Sequence, residues 1–418
     1  MFPLLRIVLV LMLIGILPLF GTQKGGACQH HVYPSNPPPI ELQFWTLQLA
    51  DFKTALLPAI HAFEARHSNV RVHWVDLPIN EGEKRLLTAM LSPAVPDVVN
   101  LNLSFAATLA QRQTLHNLST LTTPQQRGSF LPIALTPCQY HRQLFALPWY
   151  LTTKVIYVNQ AHLQGLGVSA ERLLQPDWQP STQQAQWLKQ HRVYITQPSL
   201  AENGSFITTL QQQGVQVQWD ETHQRLNLQP KALLESRLGR LRQQLQQGWI
   251  PRESLVAGHR QAMEAYLSGR LLYLEAGSSL WNLLETNAPH VAEHTRILPA
   301  TVEVNRPLAL NPMVLAVPKR SQHPQLATEL LLTVLATQHQ LALAKQAPVL
   351  PSTREGLARI AQASQTCTKA KAGACRVTTV ASQQLLQAKA SLPFHPQQKL
   401  MNEASDTLVQ QALLKEVP

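Results

Sequence analysis

Short apolar runs alternate with helical patterns along the chain from Ile40 onward. The pattern opens with three strand-like runs that are separated by two amphipathic segments: ELQFWTL, AIHAFEARH, VRVHWVDL, EKRLLTAML and VVNLNL. Strands that alternate with helices in this way are typical of a largely parallel sheet covered by helices. The sequence therefore predicts an α/β fold.

The length of the chain predicts about two domains, because 418 residues are more than one ordinary hydrophobic core can accommodate. Two extended runs in the middle of the chain, residues 144–150 and 154–159, are separated by a polar Thr pair and form a candidate hinge. Later helices are predicted over residues 231–247, 261–267 and 279–285, with a strand at LLYLEAG and one long helix over 323–346.

Charge is sparse and basic. Only 14% of residues are Asp, Glu, Lys or Arg, and the net charge is +11. The basic residues are scattered rather than gathered into a stripe that would follow a phosphate backbone, so no nucleic-acid partner is expected. A basic surface facing an anionic membrane or wall fits better.

The N-terminus has the build of an export signal. Arg6 precedes an apolar run over residues 7–20, which is short for a membrane span. An uncleaved anchor remains an alternative, because no clean cleavage site follows. Cys28, after Gly-Gly-Ala, is a candidate for lipidation, although Gly25 replaces the usual bulky apolar residue; the other reading is an ordinary cysteine.

Four cysteines in an exported chain permit disulfides without dictating them. Cys367 and Cys375 bracket the small-residue loop TKAKAGA and are candidates for a local bridge. Cys138 is expected to be a buried free thiol if Cys28 is lipidated.

A series of blocks in order carries a family resemblance: FWT, FEARHSNVRVHWV, PDVVNLN, LPWYLTTKVIYVN, SGRLLYLEAGSSLWNLL, LALNPMVLAVPKRSQHPQLATELL and APVLPSTREG. Over about residues 40–357 the chain resembles bacterial extracellular solute-binding protein family 1, which contains sugar-binding receptors of ABC importers. The resemblance implies the two-lobed, class II periplasmic-binding-protein-like fold, in which each lobe is a sheet flanked by helices and a ligand cleft lies between them.

The resemblance also implies where the chain divides. The predicted parts are a leader over residues 1–27, a Pro-rich spacer over 28–39, lobe 1 over 40–149 with 312–345, lobe 2 over 153–305 with 350–418, and hinges near 147–153, 305–312 and 345–350.

Polar residues at strand ends are the first candidate solute ligands. Thr46 and Gln48 end the first strand, and Asn102 and Ser104 end the third. Open α/β sheets bind ligands at the carboxyl edge of their strands, which would place these side chains in the cleft. The alternative is that each caps a turn or is simply solvated.

Aromatic residues and a second polar turn complete the candidate site. Trp149, Tyr150 and Thr152 lie in the presumed crossover, where a flat ring could stack on a sugar; packing is the rival role for the aromatic residues. The remaining candidates are Gly277, Ser278, Ser279, Trp281 and Asn311. Ser278 has a second reading as the N-cap of the helix that contains Trp281.

One enzymatic alternative stands in the sequence. His290, Glu293 and His294 spell H-x-x-E-H, which on a helix would place two imidazoles on a zinc ion. Pro289 and the following TRILP indicate only a short segment there. The expectation is a non-enzymatic receptor, without cofactor or metal.

The expected receptor is a monomer that captures a sugar or similar polar solute and delivers it to ABC importer permease subunits. It would work in the periplasm, or at the outer face of the cytoplasmic membrane if a lipid on Cys28 anchors it there. A sensor or envelope interaction protein that uses the same fold without transport is the alternative from another class.

Overall fold

Two larger β-sheets organise the residues that this computed structural model describes, which are 38–92, 95–175, 177–300, 307–308, 310–364, 372–392, 395 and 397–414. The predicted leader, Cys28 and Cys367 lie outside these residues. From Pro39 onward the chain forms one compact unit.

The strands, in chain order, are β1 (Ile40–Leu47), β2 (Val70–Leu77), β3 (Val98–Asn102), β4 (Gln139–Tyr140), β5 (Gln143–Leu144), β6 (Leu147–Thr152), β7 (Lys154–Asn159), β8 (Gln216–Asp220), β9 (Arg225–Gln229), β10 (Tyr273–Gly277), β11 (Thr295–Pro299), β12 (Asn311–Ala316) and β13 (Leu350–Pro351).

The helices are α1 (Lys53–Arg66), α2 (Ile79–Leu91), α3 (Leu103–Gln111), α4 (Pro124–Gly128), α5 (Pro132–Leu135), α6 (Gln160–Leu166), α7 (Ala170–Leu173), α8 (Thr182–His191), α9 (Ser205–Gln212), α10 (Lys231–Gln246), α11 (His259–Leu267), α12 (Ser279–Asn287), α13 (Pro289–Glu293), α14 (Pro324–Val334), α15 (Thr337–Ala344), α16 (Arg354–Ala363), α17 (Ala372–Gln387) and α18 (Gln398–Leu414).

The larger sheet has six strands in the order β13-β6-β12-β3-β1-β2. Strand β1 runs parallel to β2 and β3, as the alternating pattern predicts. Its residues Leu42 and Phe44 are fully buried in a core that α1, α3 and α14 complete. Strands β12 and β13 are antiparallel to their neighbours, so the sheet is only partly parallel.

The smaller sheet has three strands in the order β10-β7-β11, and both pairings are antiparallel. The prediction of a largely parallel sheet is therefore wrong for this part. Strand β7 is buried on both faces: Val155 and Tyr157 pack into one hydrophobic cluster, and Ile156 and Val158 into another. A strand buried on both faces reads as a continuous apolar run, which hides the direction of its partners.

The order of the described strands and helices implies three passages between the two sheets, of which the passage from β11 to β12 includes residues outside the described ranges. The chain leaves β6 and enters β7 with only Thr153 between them. It returns between β11 and β12, and β13 still pairs with β6 before α16 packs against α17 beside the smaller sheet. The predicted lobe and hinge boundaries stay predictions.

The long helix predicted over residues 323–346 is in fact two helices, α14 and α15. Ala336 interrupts it with an extended backbone, φ −58° and ψ 140°. Both helices nonetheless pack on α1, as the shared apolar pattern requires. The helix predicted over 231–247 is confirmed as α10.

A smaller hydrophobic cluster lies apart from the two sheets. The helices α9, α10 and α18 enclose it with the hairpin β8–β9, and its members include Phe206, Leu238 and Val409. The last helix thus packs against segments about halfway along the chain. None of the helices in the described ranges combines the length and apolar character needed to cross a membrane.

Two helical glycines should respond oppositely to alanine. A Cβ on Gly373 would lie 1.7 Å from Cζ2 of the buried Trp281, whereas a Cβ on Gly239 would meet nothing within 4 Å. We expect Gly373→Ala to lower the free energy of unfolding by about 1 to 3 kcal/mol through overpacking. Gly239→Ala should raise it by about 0.5 to 1 kcal/mol through helix propensity. Urea unfolding measures both, and changes of the same sign would contradict this packing.

Candidate functional site

The carboxyl ends of four strands meet at one edge of the six-stranded sheet. Strands β1, β2, β3 and β6 end there, and β12 begins there, with Asn311 opposite Thr152 and Met313 opposite Asn102. Thr46 stands opposite Asp76 at the same edge. The predicted residues Thr46, Asn102, Thr152 and Asn311 therefore share an edge, as strand polarity requires.

Asp76, at the end of β2, holds the turn that follows β1. Its Oδ1 accepts from the Thr46 hydroxyl at 2.5 Å, and its carboxylate accepts from the amides of Leu49 and Ala50 at 2.9 Å. Trp74 Nε1 donates to the same hydroxyl at 2.7 Å. Because Thr46 is fully buried and bonded on both sides, its hydroxyl supports the turn.

Gln48 occupies the middle of this turn with a left-handed backbone, φ 52°. Its side chain is exposed at the sheet edge. A non-glycine residue in this region is strained, and the Asp76 hydrogen bonds on the next two amides keep it there. The strained turn presents a neutral amide outward.

Asn102 caps helix α3. Its Oδ1 accepts from the Phe105 amide at 2.8 Å and from the Ser104 hydroxyl at 3.0 Å, while Nδ2 donates to Glu83 Oε1 at 2.8 Å. The capping alternative for Asn102 is thus what the structure contains, and Ser104 supports the cap. Contact with solute stays a prediction for both.

The two aromatic residues of β6 differ in exposure. Trp149 is 2% exposed and packs in the core, with its ring centroid 6.3 Å from Phe44. Tyr150 is half-buried at the edge, edge-on to Trp149 with centroids 5.3 Å apart. The packing alternative therefore describes Trp149, and Tyr150 is the ring nearer to solvent.

The surroundings of Tyr150 keep its phenol neutral. Burial, and then the negative charge of Asp76, raise the pKa of Tyr150 to about 12. A neutral phenol donates one hydrogen bond and offers an aromatic face, which suits a polyhydroxylated solute.

A second polar corner lies where β10 ends and α12 begins. The Gly277 carbonyl accepts from the Tyr157 hydroxyl at 2.9 Å. Ser278 stands at the N-cap position of α12 with a helical backbone, but its hydroxyl makes no capping bond to the helix and donates to the Pro348 carbonyl at 2.9 Å instead. That bond joins the smaller sheet's corner to the segment just before β13 of the larger sheet.

The next two candidates, Ser279 and Trp281, differ in their exposure to solvent. Ser279 is exposed at the first position of α12. Trp281 is 6% exposed and packs against Gly373 of α17. Packing is thus the role the structure shows for Trp281.

The cysteines follow the expected chemistry in part. Cys138 is a free, fully buried thiol that donates to the Ala134 carbonyl at 3.3 Å, and burial raises its pKa. Cys375 is disulfide-bonded. Its pairing with Cys367 stays a prediction, since Cys367 lies outside the described residues.

The H-x-x-E-H segment has no helix long enough to serve as a zinc site. Helix α13 ends at Glu293, and His294 follows it with φ −98°. Across the described ranges, no three His, Cys, Asp or Glu side chains come together as a group that could hold a metal ion.

Fold and site together define a two-lobed binding protein with polar groups at the sheet edges. The profile of the bacterial extracellular solute-binding proteins matches residues 58–370, and the chain belongs to that family. This confirms the resemblance and the two-lobed α/β fold. None of the curated proteins matches the chain.

Several solved structures share the fold. A periplasmic-binding protein from Synechococcus sp. MITs9220 is 29% identical, with a TM-score of 0.75 over 89% of this chain and 93% of that one. An ABC substrate-binding protein from Listeria monocytogenes, in complex with cycloalternan, is 14% identical, with a TM-score of 0.65 over 90% and 94%. A maltose-bound protein from T. maritima is 17% identical, with a TM-score of 0.62 over 90% and 95%.

Family membership supports a non-enzymatic, solute-binding protein, and the extracellular family implies export. Sequence reasoning missed Asp76, which organises the turn at Gln48. Its position at the carboxyl end of a strand, opposite Thr46, was the available signal.

The charge of Asp76 should be visible in the titration of Tyr150. We expect Asp76→Asn to lower the pKa of Tyr150 from about 12 toward 10, its ordinary value, while burial keeps it above 10. The unfolded chain ionises this phenol near 10, so its contribution to the free energy of unfolding is present below pH 10 and falls as pH rises to about 12. Phenolate absorbance measures the pKa, and Tyr150→Phe identifies the signal; an unchanged titration would contradict the electrostatic effect of Asp76 on Tyr150.

Trp149→Ala tests packing against solute contact. We expect the free energy of unfolding to fall by about 3 to 5 kcal/mol, because a large buried ring is removed. Val256→Ala is the control, since Val256 is 73% exposed and should change stability by less than about 0.5 kcal/mol. Urea unfolding decides; stability unchanged by Trp149→Ala would return this residue to the list of solute contacts.

Proposed function

We propose that this protein is the extracytoplasmic receptor of an ABC importer, capturing a sugar or sugar-like polar solute between its lobes and delivering it to the membrane permease. The observation that carries the proposal is the family match over residues 58–370. The Listeria relative in complex with cycloalternan and the maltose-bound T. maritima protein support a carbohydrate as the class of solute.

The groups presented at the two sheet edges suit a neutral polar solute. Gln48 offers a neutral amide, Tyr150 a phenol that stays un-ionised, and Ser279 an exposed hydroxyl. Sugars are recognised by such neutral donors and acceptors together with an aromatic face. Thr46, Asn102, Trp149 and Trp281 then act as the scaffold behind these contacts.

Closure around the solute follows from the two-lobed arrangement. A solute that touches both Gln48 and Ser279 stabilises the form in which their edges approach, because only that form makes both sets of contacts. The hinge lies near Thr153, between β6 and β7. The closed form would dock on the permease as a monomer.

Anchoring completes the proposal. Export followed by lipidation of Cys28 would hold the receptor at the outer face of the cytoplasmic membrane, with residues 28–39 as a stiff spacer. Cleavage without lipidation would leave it in the periplasm.

A thermal-shift screen of the exported protein tests the function. Maltose, maltotriose, cycloalternan, a polyol and a glycerophosphate each serve as probes. We expect one carbohydrate to raise Tm, since a solute at 100-fold its Kd adds about 2.7 kcal/mol to the free energy of unfolding. A rise with glycerophosphate alone would contradict the carbohydrate proposal, and no rise with any probe would contradict a receptor for these solute classes.

Gln48 then tests where the solute binds. Gln48→Gly removes the amide but accepts the left-handed backbone, so we expect folding to persist and affinity to fall about 5-fold to 150-fold. Gln113→Gly is the matched control, because Gln113 is also exposed and left-handed, φ 55°, at the far end of α3. Isothermal titration with the solute from the screen measures both; equal affinities would remove Gln48 from the site.

A further inference from the structure

Gln384 of α17 is buried, 5% exposed, and its amide contacts two segments that run between the sheets. Nε2 donates to the Thr153 hydroxyl and to the Lys154 carbonyl, each at 2.7 Å. Oε1 accepts from the Ala300 amide at 3.1 Å. One neutral side chain therefore uses both its donors and its acceptor on two different chain segments.

Both segments are crossing points between the sheets. Thr153 is the single residue between β6 of the larger sheet and β7 of the smaller one. Ala300 follows β11, where the chain leaves the smaller sheet toward β12. The two lie side by side because Pro299 pairs with Val155. Gln384 thus joins the start of β7, where the chain enters the smaller sheet, to the end of β11, where the chain leaves it.

The helix that carries Gln384 belongs to the smaller sheet's layer. Helix α17 packs against β7 and β11, and Val377, Ala381 and Leu385 lie in the same hydrophobic cluster as Tyr157 and Ile297. This packing of α17 fixes the position of the Gln384 amide along β7 and β11. The amide is therefore presented to both crossings by a rigid element rather than by a loop.

A buried glutamine amide also holds the third passage, the segment that follows β13 of the larger sheet. Gln340 of α15 is 2% exposed; its Oε1 accepts from the Ser352 amide at 2.7 Å, and its Nε2 donates to the Leu335 carbonyl at 2.7 Å. Ser352 in turn donates to the Pro148 carbonyl of β6 at 2.6 Å. A primary amide suits these positions because it donates and accepts at once without a charge.

We propose that Gln384 is a hinge-positioning residue: by tying Thr153 and Lys154, at the start of β7, to Ala300, at the end of β11, it makes these two strand ends turn as one unit and sets the balance between open and closed forms. It does so without touching solute. The open and closed forms, and any effect on solute affinity, rest on the proposed function, whereas the three hydrogen bonds do not.

The test uses the free, full-length protein with no solute added. Gln384→Met keeps the length of the side chain and removes all three hydrogen bonds, whereas Gln384→Glu keeps an acceptor for Ala300 and removes the donors. Gln383→Met is the matched control, since Gln383 is the exposed neighbour on the same helix. Each variant is compared with the unaltered chain.

The first measurement is hydrogen exchange at the Ala300 amide. We expect exchange at least about tenfold faster in Gln384→Met, because the amide loses its acceptor, with little change in Gln384→Glu or Gln383→Met. The second measurement is the distance between spin labels at exposed Lys84 on α2 and exposed Lys189 on α8. We expect a broader or shifted distribution in both Gln384 variants but not in the control.

An Ala300 exchange rate and a label distance that match those of Gln383→Met would overturn the proposal. If Gln384→Met fails to fold, Gln384→Glu carries the test through the label distance alone, and an unchanged distribution again overturns it. Because no solute is present, either result is independent of whether the protein binds a carbohydrate.

Discussion

The passage of the chain from β6 to β7 is the constraint on which the rest of the structure depends. A single residue, Thr153, separates the strand of one sheet from the strand of the other. The two sheets are therefore joined at this point by a short covalent link. Leu151 and Val155, on either side, are both fully buried in one hydrophobic cluster, so the link is packed as well as short.

Several polar residues at the candidate site stabilise the fold itself through hydrogen bonds within the protein. Thr46 and Asp76 hold the turn after β1, and Asn102 caps α3. Among the candidates, Gln48, Thr152 and Ser279 are exposed and Tyr150 is half-buried. Such a division is physically reasonable, because recognition of a polar solute requires its few contacts to be held in place by a rigid surround. The strained backbone at Gln48 is one result of that surround.

The lobes can be considered at the scale of the whole fold and at the scale of the single hydrogen bonds that connect them. At the scale of the fold, the two lobes are those of a bacterial extracellular solute-binding protein. At the scale of single bonds, the Ser278 hydroxyl on the Pro348 carbonyl joins the two layers near the candidate site, while Gln384 joins the crossing strands.

The sequence by itself determined the elements that depend on local periodicity. The strand and helix pattern from Ile40, the ends of α10, and the family blocks were all readable, because hydrophobic period and order are local properties. The single helix predicted over 323–346 failed at Ala336, where nothing in the residue type marks a break. The antiparallel pairing of β7 was also hidden, since a doubly buried strand carries no mark of its partners' direction.

Tertiary structure alone decided which candidate residues face outward and which are committed inside. Trp149 and Tyr150 are adjacent in sequence, yet one is core and the other lies at the edge. Thr46 meets Asp76 across 30 residues, and Gln384 meets Thr153 across 231. Hydrogen bonds between such distant segments have no local signature, because they exist only once packing has brought two sheets and a late helix to the same point.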